Sequence, residues 1–115
     1  MDGRIFVSLF HILFVGILFL YVGLTRDKNT KIMFNFLLGL GIFIILYHCF
    51  KVYNYLSEGK PIWVNLIHIF IVGPLVAYIG YNGQNTSRKY FELLLMLAFA
   101  SIGYHGYYLV QSLTA

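Results

Sequence analysis

No charged side chain occurs between Ile5 and Thr25, between Ile32 and Phe50, between Ile62 and Ser87, or from Leu93 to the end of the chain. Each run is about 20 residues or longer, the length at which a helix crosses a hydrocarbon core of ~30 Å. The backbone at that depth has no water to bond, so only helices or closed barrels can span it. Uninterrupted apolar runs lack the in–out alternation that barrel strands need. Only 10% of the 115 residues are charged, where a soluble domain carries about a quarter. These features predict an all-α membrane protein with transmembrane helices over roughly 5–25, 31–56, 62–81 and 88–113. The first run has no small-residue cleavage pattern before the polar loop that follows it, so it reads as a span rather than a leader.

The second constraint is a repeat. A shift of 57 residues lays the second half of the chain on the first without a gap. His11 falls on His68, Gly16 on Gly73, Tyr21 on Tyr78 and Gly23 on Gly80. Further on, Phe34 falls on Phe91, Leu37-Leu38 on Leu94-Leu95, Ile45 on Ile102, and Tyr47-His48 on Tyr104-His105. All four histidines lie at matched positions. Self-similarity at a fixed offset marks a duplicated unit, so residues 1–58 and 59–115 read as two two-helix repeats within one membrane domain. The connecting segments are short, polar and rich in turn residues, and short loops favour antiparallel neighbours. The expected architecture is a four-transmembrane-helix up-down bundle. Because each repeat has an even number of spans, the two insert in parallel, related by an axis along the membrane normal. Pro61 suits the first turn of the third helix. Pro74 should kink that helix, and its counterpart is Ile17.

Loops 26–31 and 82–89 carry Arg26, Lys28, Lys31, Arg88 and Lys89, against Arg4, Lys51 and Lys60 on the other side. The excess predicts cytoplasmic basic loops with both termini on the opposite side. The net charge of +4 reflects these loops beside lipid. No basic run suggests nucleic acid as a partner. The lipid bilayer is the expected environment, with a homo-oligomer or other membrane proteins as further partners. The single cysteine, Cys49, excludes an internal disulfide, and its counterpart is Gly106.

In an up-down bundle His11, His48, His68 and His105 fall on one side of the membrane, roughly 9–12 Å deep at 1.5 Å per residue. Identical positions Phe34, Leu37, Leu38, Ile45 and His48 step by three and four and define one helix face. Gly41 lies on that face, opposite Ala98 of the other repeat. The other face drifts: Phe36 to Leu93, Gly39 to Met96, Phe43 to Ala100, Leu46 to Gly103 and Phe50 to Tyr107. His48 and His105 therefore face the interior. For His11 and His68 the cost of an ionisable group against lipid argues the same.

Three functions fit such a layer. Neutral imidazole is a ligand for zinc, copper and haem iron. The four histidines could hold a single Zn or Cu ion, or one pair could hold haem b with Lys51 meeting a propionate, giving electron transfer or metal handling. Imidazoles could instead pass protons or cations, with Tyr21, Tyr78, Tyr47, Tyr104, Ser8 and Asn65 extending a polar path. Third, the histidines could be structural, in a membrane scaffold or assembly protein. Tyr47 and Tyr104 point about 100° from the histidines that follow them, so each is expected not to bond its own histidine but to reach another helix or to sit as an amphipathic anchor. Gly23 and Gly80 read as helix ends. Glu92 lies one turn from Arg88 and should pair with it. No carboxylate or nucleophile with its base lies near the histidines, so hydrolytic chemistry is not expected.

Overall fold

The computed structural model describes residues 3–114 of the chain. It contains four helices long and apolar enough to cross a membrane: α1 (Gly3–Lys28), α2 (Lys31–Glu58), α3 (Trp63–Asn85) and α4 (Arg88–Thr114). No strand occurs among the described residues. The expected spans are all present. α2 runs to Glu58, and α3 begins at Trp63, leaving Pro61 outside the helix.

Two of the four helices are not α-helical throughout. α1 passes into a π-helical stretch over His11–Gly16, and α3 does so over His68–Val72. In α3 the Gly73 N–H bonds back five residues to the His68 carbonyl. Pro74 has no N–H to offer the ladder and lies in the first turn of the next α-helical stretch, which begins at Gly73. α1 makes the matching distortion with Ile17 at that position. The irregularity expected from Pro74 alone is thus common to both helices, and its shared feature is the histidine that opens each π stretch.

The chain divides into two compact units, one formed by α1 with α4 and the other by α2 with α3. Each unit takes one helix from each half of the sequence. In lipid there is no hydrophobic force between helices, so close approach depends on small residues and shape. In the α2–α3 unit, Phe34 and Leu37 of α2 and Val72, Val76 and Ile79 of α3 are buried. Gly80 lies against the Leu38 nitrogen and Phe34 carbonyl, and Gly41 against the backbone of Ala77. In the α1–α4 unit, Phe19 and Val22 are buried, as are Phe91, Leu94 and Ala98. There Gly23 lies against the Leu95 side chain and Phe91 carbonyl, and Gly16 against Ile102.

The glycines expected to end α1 and α3 are therefore contact points inside them. The α-helical stretches close later, at Arg26 and Gly83. α2 opens with the Thr30 hydroxyl accepting from the Met33 N–H at 3.1 Å. It closes at Gly59, φ +69, where the Lys60 N–H reaches the Tyr55 carbonyl at 2.9 Å. The left-handed closing glycine is the usual helix stop. The Glu58 carboxylate, hydrogen-bonded to Lys60 at 2.8 Å, holds that ammonium above its usual range. Arg88 and Glu92 form the expected pair at 2.9 Å.

Repeat drift identified the outward face correctly. Phe36, Gly39, Phe43, Leu46 and Phe50 of α2 are all exposed, as are Leu93, Met96, Ala100, Gly103 and Tyr107 of α4. Core positions are constrained by a facing helix, and positions that meet only acyl chains are not.

Candidate functional site: two stacked histidine pairs

The histidines are assembled as two pairs, one in each unit. In the α2–α3 unit His48 and His68 stack with ring centroids 4.1 Å apart and planes 16° from parallel. In the α1–α4 unit His11 and His105 stack at 4.1 Å and 19°. The second pair is the first with the two halves exchanged, His105 of α4 matching His48 of α2 and His11 of α1 matching His68 of α3.

Each ring is held by its surroundings. His11 Nδ1 donates to the Val7 carbonyl at 2.8 Å, one turn back on α1. His68 Nδ1 donates to the Val64 carbonyl at 2.8 Å, one turn back on α3. A carbonyl only accepts, so in both rings Nδ1 carries the hydrogen and the neutral imidazole keeps its lone pair on Nε2. His48 is buried, and its Nδ1 lies 2.8 Å from the Asn65 side-chain oxygen. That contact assigns it the same tautomer.

Tyr47 meets His48 edge-on at 5.3 Å and 86°, and Tyr104 meets His105 at 5.1 Å and 86°. Each tyrosine thus sets its ring edge against the histidine that follows it while remaining exposed, at 46% for Tyr47 and 36% for Tyr104. Large rings bridge a 100° separation because their edges extend well beyond the helix surface.

The remaining expected site residues divide. Asn65 and Ser8 are both buried, at 3% and 2% exposure. Asn65 bonds the histidine of the facing helix rather than that of its own. Lys51 extends along α2, its Nζ 5.7 Å from the Tyr47 ring centre and 5.2 Å from that of Tyr55. Tyr21 and Tyr78 are exposed. Each lies ten residues along its helix from the nearest histidine, roughly 15 Å at the helical rise, and neither adjoins a pair.

The donor geometry bears on the metal and haem readings. Among the described residues no group of three or more His, Cys, Asp or Glu side chains could hold a metal ion. A nitrogen lone pair lies in its ring plane, and metal–nitrogen distances are about 2 Å. Two nearly parallel planes have no common point at that distance, so a stacked pair does not close on one ion without a ring turning.

Comparison of the chain with protein-family models, with curated proteins and with solved structures gives no match.

Proposed function

We propose that this chain is a small multi-pass membrane protein that carries protons across or into the bilayer by way of its two histidine pairs. The observation that supports this reading is the matched pairing itself. Each helix pair stacks two imidazoles within membrane-spanning segments. Three of the four rings donate from Nδ1, which leaves Nε2 as the basic nitrogen. Imidazole is the side chain that exchanges protons between about pH 5 and 8. Two cationic rings about 4 Å apart would repel by about 4 kcal/mol at an effective dielectric of 20. Each pair therefore takes one proton at a time and passes it on before accepting another.

In this reading the four spans form an up-down bundle of two tandem parallel repeats. The basic loops 26–31 and 82–89 are cytoplasmic and both termini lie opposite. A homo-oligomer, or other membrane proteins, would complete the pathway in a chain with little mass outside lipid.

A second reading is metal or haem binding. Metal-ligating histidines characteristically donate their other ring N–H to a carbonyl, as His11 and His68 do. Binding would require a ring in each pair to turn out of its stack.

The test is proton flux in liposomes containing the purified protein under an imposed pH gradient, with its absorption spectrum and metal content measured alongside. Proton transport predicts flux in the wild type that falls at least tenfold in His48→Ala and in His105→Ala, with no Soret band and no stoichiometric zinc or copper. A Soret band or one metal ion per chain selects the second reading. Absence of flux, pigment and metal leaves a scaffold in which the histidines pack.

A further inference from the structure

We infer that Asn65 is the positioning residue of the α2–α3 histidine pair: its side-chain oxygen fixes His48 as the Nδ1–H tautomer and turns Nε2 of that ring toward the role of proton acceptor. The inference rests on the proton-transfer reading above and names what orients the ring in that site.

α3 supplies both parts of the arrangement. His68 stacks on His48 and is pinned by its own helix through the Val64 carbonyl. Asn65, three residues earlier on α3, reaches across to α2 and meets His48 Nδ1 at 2.8 Å with both residues buried. A leucine would fill similar volume within a span. A buried amide that lost this bond would leave polar groups unsatisfied inside the helix pair. An asparagine at this place is therefore explained by the ring it holds rather than by packing.

The amide has two faces. With its oxygen toward Nδ1 the ring is protonated there, and with its NH2 toward Nδ1 the proton would sit on Nε2 instead. The observed face gives His48 the same tautomer that backbone carbonyls impose on His68. Both rings of the pair thus offer the same nitrogen.

Tyr47 meets the ring by its edge. Lys51 is drawn over the rings of Tyr47 and Tyr55, and Glu58 is engaged with Lys60. Asp27 stands at the far end of the unit, in the turn that closes α1. The chain also provides its own substitution, because the residue matched to Asn65 is Ser8, also buried.

The experiment is nitrogen-15 spectroscopy of histidine-labelled full-length protein in lipid bilayers at pH 8.5, with the His48 signal assigned by its loss in His48→Ala. Wild type is expected to show His48 protonated at Nδ1. Asn65→Ser, which retains a small polar residue, is expected to raise the Nε2–H population of His48 at least fivefold and leave His68 unchanged. Asn65→Asp, which keeps an acceptor oxygen facing Nδ1, is expected to restore the Nδ1–H form. Wild-type His48 protonated at Nε2, or an unchanged tautomer in Asn65→Ser, would overturn the assignment. Flux is then measured on the same samples. If wild type carries no flux the proton-transfer reading fails, while the spectra still decide what Asn65 does to the ring. If wild type carries flux and Asn65→Ser shifts the tautomer without changing the flux, the positioning role in transport is overturned.

Discussion

Arg26 and Gly83, one repeat length apart, close α1 and α3 in the same backbone conformation, with φ +53 and +55 and ψ −127 at both. This region suits glycine and strains any residue with a Cβ. The chain accepts that strain at Arg26, its one positive-φ residue other than glycine among the described residues. Replacing Arg26 by Gly should stabilise the protein by about 1 kcal/mol, and Gly83→Ala should destabilise it by about 1–3 kcal/mol. Reversible denaturation in mixed micelles measures both. Equal stability of Arg26→Gly and wild type would mean that the strain is relieved elsewhere.

Much of this fold was legible before any coordinates. The spans follow from where Arg26, Lys51, Lys60 and Arg88 interrupt apolar sequence. The buried face of α2 follows from Phe34, Leu37 and His48 recurring as Phe91, Leu94 and His105. The helix pairing was not legible, because the shared face shows that α2 and α4 bury a stripe without saying which neighbour covers it. Nor were the π stretches, since backbone register leaves no side-chain signature and Pro74 marks only one of the two. A bond from Asn65 to a histidine was within reach of the sequence, but its partner was not: Asn65 and the matched Ser8 each stand one turn from the histidine of their own helix, and nothing in the sequence marks the ring across the contact.

Gly80 and Gly103 both lie within apolar helices, but Gly80 is buried against the facing helix and Gly103 is exposed. A Cβ at Gly80 would strike the backbone of α2 at Leu38 and Phe34, whereas at Gly103 nothing lies within 4 Å. Backbone cannot rotate away as a side chain can. Gly80→Val should therefore destabilise by about 3 kcal/mol or more. Gly103→Ala should be neutral or slightly stabilising, since alanine forms helix better by about 1 kcal/mol. Similar losses at both positions would argue against the close α2–α3 contact.

The stacked histidines should be thermodynamically coupled. Ring pairs contribute about 0.5–1.5 kcal/mol beyond their buried area, so His11→Ala and His105→Ala should together cost less than the sum of the single changes by about that amount. His48 and His68 should behave alike, with an additional loss in His48→Ala from the Asn65 amide left behind. A double-mutant cycle on denaturation free energies reads the coupling at neutral pH. Strict additivity in both pairs would remove the stacks as energetic units and weaken every functional reading built on them.

Chemical labelling tests the proposed topology. Lys28, Ser57 and Gln84 are all exposed, and they lie at the ends of α1, α2 and α3 respectively. Single cysteines at these positions in a Cys49→Ser background should react with a membrane-impermeant maleimide according to the face on which they lie. Each span reverses the chain, so Lys28→Cys and Gln84→Cys should label together and Ser57→Cys from the opposite face. In the proposed orientation the first two lie on the cytoplasmic side. Their labelling together from outside would reverse the orientation and keep the up-down path. Labelling of Lys28→Cys and Gln84→Cys from opposite faces would break the parallel insertion of the two halves. Each histidine pair would then have to be tested for proton transfer on its own.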